Sequence, residues 1–306
     1  MTRSRRILWR GLAYAISMAA LAWVVLLWWD HWPKVLELVS AGDRLGMAVG
    51  LLLAIASGYA NFVAFAILAR KLIAGSLRLR ELSHLYFVAQ LLKHLPGRVW
   101  GIGYQAVVAR KQGAPARWVV ANLVHMAAAS YVALAMAVGV IVWNSAWGPL
   151  SSVVLSILLA GAFFLALPTG GWLQSWLSTR SGWRARAGGV LALFKLDQSS
   201  WALVLVAFIV AGLLHYGSWV MYAGVIGLDD LDAALTLCAL YMLAWFAGYV
   251  AFLTPSGIGV RELVFMALAT GFDPEVVAVM TVFGRASFLA VDVLISLPFL
   301  VRSRET

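Results

Sequence analysis

Residues 252–263 read FLTPSGIGVREL, between the apolar runs DAALTLCALYMLAWFAGYVAF and VFMALA. Inside a bilayer such a stretch is costly: Pro255 ends a helix, Gly257 and Gly259 loosen the backbone, and Arg261-Glu262 brings charge into hydrocarbon. Whether it is a loop between two crossings or a break within the membrane decides the architecture.

The rest of the chain supplies the setting. Of 306 residues, 63% are hydrophobic and 12% charged, with 15 Trp and a single Cys, far from a soluble globular composition. The sequence predicts an all-α polytopic membrane protein. A crossing takes about 20 helical residues, and six runs reach that length: roughly 12–29, 45–68, 118–143, 150–168, 201–227 and 276–301. Four shorter or interrupted segments remain, near 82–92, 99–109, 233–253 and 258–270. With the N-terminus in the cytoplasm, and 82–109 and 233–270 taken as re-entrant hairpins, 17 of the 23 basic residues face the cytoplasm. Lys34 and Arg44 fall outside, among Asp30, Glu37, Asp43, Asp229, Asp230, Asp232, Asp273 and Glu275. This bias orients membrane proteins and predicts a bacterial inner-membrane protein with both ends cytoplasmic. The formal charge of +10 is thereby a topology signal suited to anionic inner-leaflet lipids, and nucleic acid is excluded as a partner.

Cutting near Gly148 gives two halves, 1–148 and 149–306, each reading span, span, interrupted hairpin, span. The first hairpin breaks at HLPGRVWG (94–101), with Pro96, Gly97 and Gly101; the second breaks at Pro255, Ser256, Gly257 and Gly259. Three full spans precede the cut, so the halves are expected to be inverted in the membrane. Inverted repeats with Pro/Gly-interrupted segments at matching positions mark the binding sites of transporters. The segment 233–253 is also long enough for a full crossing, and either reading returns the chain to the same side.

Ionisable residues at membrane depth cost about 2.5–3.5 kcal/mol each on insertion scales and are functional candidates. Here they are Lys93, Arg98, Arg261, Glu262, Arg285 and Asp292, with His94 beside Lys93. Helices restarting after each break would point N–H groups and positive dipole ends inward. Arg98 and Arg261, with Lys93, then suit phosphate oxygens. The structural alternative stays open: Arg285 and Asp292, seven apart, share a helix face and either support each other or neutralise Arg261-Glu262, and Lys93 and His94 either bind ligand or snorkel to the interface. Glu262 either tunes Arg261 or carries a proton. His125 and His215 read as hydrogen-bonded core histidines, and Gly212, Gly217, Gly224 and Gly248 as packing surfaces. No residue pattern has metal-ligand spacing, and no cofactor is expected.

LKHLPGRVWGIGYQAVVARKQGAP (92–115), FLTPSGIGVREL and FGRASFLAVDVL (283–294) resemble conserved segments of the lysylphosphatidylglycerol synthase transmembrane-region family. That family includes the flippase part of the bacterial multiple peptide resistance factor, and stand-alone members. Pro96, Gly97, Trp100, Gly101, Pro255, Gly257, Gly259, Arg261, Glu262, Arg285 and Asp292 match its pattern, whereas Ser256 replaces a common Gly and Gly284 a common Ser. The aminoacyl-transferase domain of the full-length factor is missing, so no synthase activity is expected.

Together these readings predict a lipid flippase that moves an anionic phospholipid or polyprenyl-phosphate-linked glycolipid, its phosphate held between the two hairpins. No phosphate-binding loop for nucleotides is present. The alternatives are a non-transporting partner of a glycosyltransferase or lipid-synthesis enzyme and, further off, an intramembrane enzyme. A homo-oligomer is compatible with all three.

Overall fold

The computed structural model describes residues 43–73, 78–94, 100–110, 115–144, 197–250 and 259–302, with isolated positions between 26 and 40 and between 151 and 162. The expected spans 12–29 and 150–168 therefore lie almost wholly outside the described residues, as do Pro96, Gly97 and Arg98 and the second break at Pro255, Ser256 and Gly257.

Among the described residues the chain forms eight helices and no strand. They are α1 (Arg44–Leu72), α2 (Leu79–Leu92), α3 (Trp100–Arg110), α4 (Pro115–Trp143), α5 (Gln198–Val225), α6 (Leu231–Val250), α7 (Val260–Leu268) and α8 (Pro274–Arg302). Five of these, α1, α4, α5, α6 and α8, are long and apolar enough to cross a membrane. The chain is a multi-pass membrane protein. Four of the five coincide with expected spans, and α6 joins them from a segment for which the sequence allowed both a hairpin arm and a crossing.

The remaining three helices are too short to cross. With 14, 11 and 9 residues, α2, α3 and α7 extend roughly 21, 17 and 14 Å at helical rise, against a hydrocarbon core of about 30 Å. Each packs on a chain neighbour: α2 on α3, α3 on α4, and α7 on α6.

The acids that the sequence places in external loops set where helices begin. Asp43 Oδ1 accepts the Leu45 N–H at 2.9 Å, Asp230 Oδ1 the Asp232 N–H at 3.2 Å, and Asp273 Oδ1 the Glu275 N–H at 2.8 Å. These are N-caps that satisfy otherwise orphaned donors and place negative charge at the positive helix end. The Asp229–Asp232 run thus caps a helix, and no metal-holding cluster exists among the described residues. At the start of α5, Asp197 accepts from Ser199, from Lys71 Nζ at 2.9 Å and from Ser200 Oγ at 2.8 Å. The Ser199 and Lys71 bonds above all hold its carboxyl well below the usual carboxylate range. At the other end of α5, Gly227 takes φ +80° and the Leu228 N–H reaches back to Ala223 O at 3.0 Å, a Schellman closure that requires the left-handed backbone glycine tolerates.

Contacts divide the chain into two compact units, one of residues 1–54, 93–98 and 215–291, the other of 55–92, 99–214 and 292–306. In the first, Tyr222 lies against α1 so closely that a Cβ at Gly50 would fall 2.6 Å from its ring, and Tyr222 stacks on Phe283 at 5.7 Å. In the second, Phe62, Phe65, Tyr86, Phe87 and His125 form a continuous aromatic core. His125 Nε2 meets Asn61 O at 3.1 Å, as expected of a core histidine. Buried Gln105 bonds Leu85 O at 3.2 Å and also accepts from Asn122.

Gly101 lies inside α3, one residue past its start, where an added Cβ would stand 2.5 Å from Ala89 O. Its observed place is a close helix–helix approach in the α2–α3 pair. Gly212 and Gly217 likewise pack, against Met136 and Leu53, whereas a Cβ at Gly224 would meet nothing within 4 Å among the described residues.

Candidate functional site

The described part of the opening stretch starts at Gly259, which takes φ +86° and caps α7. A residue with a side chain is strained in that conformation; glycine is not. Its N–H donates to Glu262 Oε2 at 2.8 Å, so the carboxylate clasps the first turn of its own helix. The other carboxylate oxygen accepts Arg285 Nε from α8 at 2.7 Å, and Arg285 Nη2 stands 2.5 Å from the same atom. Glu262 is fully buried and the Arg285 side chain is 15% exposed. Both oxygens of Glu262 are thereby engaged, one by backbone and one by guanidinium. Of the roles the sequence left open, Arg285 neutralises Glu262; Asp292 follows two helical turns later on α8, within the other compact unit.

Arg261 points elsewhere. It is 92% buried (8% exposed), and its guanidinium carbon lies 5.9 Å from the ring centroid of Tyr241, within cation–π range. Tyr241 lies tilted against Trp219, ring centroids 4.5 Å apart, and meets Phe265 edge-on at 5.2 Å. Trp219, Tyr241 and Phe265 are all fully buried. Arg261 Nε, Tyr241 Oη and Trp219 Nε1 have no hydrogen-bond partner among the described residues. Buried donors are normally paired, since an unmade bond costs about 1–3 kcal/mol. An unpaired guanidinium N–H over the Tyr241 ring suits an acceptor-rich, negatively charged group, and Trp219 Nε1 is a further unpaired donor in the same aromatic cluster.

Depth follows from helix length. Tyr241 is the eleventh of the 20 residues of α6, about 15 Å from either end. Because α6 is long enough to cross, the Arg261 guanidinium beside Tyr241 is level with the middle of that helix, where a crossing helix passes the centre of the hydrocarbon. There an isolated charge is least tolerable and electrostatic forces are strongest.

Gly284 makes the box possible. A Cβ there would fall 2.7 Å from Tyr241 Cζ, 2.8 Å from its Oη and 3.0 Å from Trp219 Cζ2. A serine at this place would not fit against this tyrosine.

Of the other expected site residues, Lys93 directly follows α2, is half-buried and belongs to the same compact unit as Arg261; His94 beside it is exposed. Arg98 lies outside the described residues. His215 is half-buried against Phe288 and Trp219, at 5.3 and 6.3 Å, and its Nε2 has no hydrogen-bond partner among the described residues. The residues that sequence reading missed are Trp219, Tyr241 and Phe265. The available signal was a tyrosine in mid-span, whose hydroxyl needs a partner in lipid. Compared with family models, curated proteins and solved structures, the chain gives no match.

Proposed function

We propose that the protein is a lipid flippase of the bacterial inner membrane, moving an anionic phospholipid or a polyprenyl-phosphate-linked glycolipid, with the lipid phosphate bound at Arg261. The observation that carries this reading is an arginine level with the middle of α6, 92% buried, whose Nε has no hydrogen-bond partner among the described residues while Arg285 is already paired with Glu262. A purely structural arginine at that depth would be expected to have its own carboxylate. The Gly259 turn and the short α7 supply irregular backbone at mid-depth, which membranes tolerate where it is enclosed by protein or lines a wet cavity. In this reading α2–α3 and the segment after α6 are the interrupted elements of an inverted repeat, with both termini cytoplasmic. A phosphate at Arg261 would accept from the guanidinium fork.

Reconstitution in liposomes tests the reading. Headgroup accessibility of a fluorescent anionic phospholipid is followed over time. The wild type is expected to equilibrate the leaflets well above protein-free liposomes, and Arg261→Gln to lose most of that rate while still folding. Equal rates for wild type and empty liposomes would refute transport and favour a non-transporting partner of a lipid-modifying enzyme.

A further inference from the structure

We infer that the Arg261 site is matched to a singly charged phosphodiester and discriminates against phosphomonoesters. The inference rests on the phosphate-binding reading above and adds the charge class of the ligand.

The ionised side chains that act on Arg261, among the described residues, are Arg285 and Glu262. Two guanidinium groups and one carboxylate leave one positive charge uncompensated. That charge is located, too. Glu262 is committed on both oxygens, to the Gly259 N–H and to Arg285, so it cannot swing to neutralise Arg261 without opening the first turn of α7. Arg285 in turn is held by its carboxylate. What is left for a ligand is the single charge of Arg261, over the ring of the neutral Tyr241.

A phosphodiester fits that count. It carries one negative charge, spread over two free oxygens, which the Arg261 fork can cover. A phosphomonoester carries about −1.5 to −2 at neutral pH because its second ionisation lies near 6. Binding it would leave excess negative charge in an aromatic, water-poor box beside the Glu262 carboxylate. Uncompensated buried charge is the costliest outcome available to the site. The aromatic walls reinforce the choice, because Tyr241, Trp219 and Phe265 offer no further cation to absorb it. The diester could come from a lipid headgroup or from a free diester in water, and the chemistry at Arg261 is shared.

The test uses the full chain in micelles of a phosphate-free alkyl maltoside, titrated at neutral pH with phosphatidylglycerol or with phosphatidic acid of identical acyl chains. In parallel, the water-soluble diester glycerophosphoglycerol is added. The wild type is expected to bind phosphatidylglycerol about tenfold or more tightly than phosphatidic acid. Arg261→Gln is expected to lose both. Glu262→Gln keeps an acceptor for the Gly259 N–H but raises the net charge to two, and is expected to erase or reverse the preference. Where that variant unfolds, acidification decides instead. Taking the wild type below the second phosphate ionisation, near pH 6, makes phosphatidic acid singly charged and should raise its affinity toward that of phosphatidylglycerol, which stays constant. Binding of glycerophosphoglycerol with the affinity of the lipid supports the same charge class with a soluble source; markedly weaker binding supports it with a lipid source. Arg261-dependent binding in which phosphatidic acid wins at neutral pH overturns the inference and leaves the phosphate-binding reading standing. Arg261-independent binding, or none, overturns both.

Discussion

Replacing Glu262 by alanine should be among the most damaging single changes in this protein. The carboxylate is fully buried and anchors two things at once: the Gly259 N–H at 2.8 Å and Arg285 Nε at 2.7 Å. Removing it strands the Arg285 guanidinium, whose side chain is only 15% exposed, and breaking one partner of a buried ion pair costs about 3–5 kcal/mol. Loss of the clasp on the first turn of α7 adds about 0.5–2 kcal/mol, the range for a helix N-cap. For a chain of this size each kcal/mol moves the unfolding midpoint by about 2–4 °C, so the single variant should melt roughly 7 °C or more below wild type. The double variant Glu262→Leu/Arg285→Met strands neither member of the pair, and replacing both members of such a pair by apolar residues is often neutral or stabilising. It should therefore recover most of the loss, with a coupling energy of about 2 kcal/mol or more in a double-mutant cycle. The assay is thermal unfolding in nanodiscs, followed by loss of helical signal. Additive losses in the double variant would refute the pairing as described.

Three further predictions address other parts of the molecule. Gly284→Ser should cost about 1–3 kcal/mol by overpacking, because its Cβ would stand 2.7 Å from the Tyr241 ring. Tyr241→Val should relieve that loss, and a Gly284→Ser melt equal to wild type would contradict the box geometry. Gly101→Ala should separate α2 from α3, since the clash at 2.5 Å is with the Ala89 backbone oxygen and not a movable side chain; a lower melt and faster amide exchange in α2 are the expected readouts. At the start of α5, the depressed Asp197 carboxyl contributes stability that is fully present above its ordinary value of 3.8 and is lost as pH falls below it. The melting difference between wild type and Asp197→Asn should therefore be constant from neutral pH down to about 5 and shrink below about 4; a difference that persists at low pH would disprove the carboxylate's role.

Much of the architecture was legible without coordinates because the membrane imposes simple arithmetic. A helix must run about 20 apolar residues to cross, and α1, α4, α5 and α8 were readable on that ground alone. Charge placement near the ends also spoke directly: Asp43, Asp230 and Asp273 act locally, on N–H groups two residues away, so sequence proximity and spatial proximity coincide. Candidate charges at depth, Arg261, Glu262 and Arg285, were found because hydrocarbon makes any such residue conspicuous.

Sequence alone thus determined that this chain is a multi-pass helical membrane protein, that 252–263 interrupts it, and which charges need an explanation. Only the tertiary structure decided how those charges are shared. Glu262 serves Arg285, 23 residues along the chain, and not the adjacent Arg261, because neighbours on a helix point about 100° apart and face different surroundings. Spans such as α1, α5 and α6 are apolar around their whole circumference, so no periodic stripe tells which face meets which neighbour. That Trp219 and Tyr241 would meet across helices, in the space left by the missing side chain of Gly284, is a consequence of packing that no spacing in the sequence encodes.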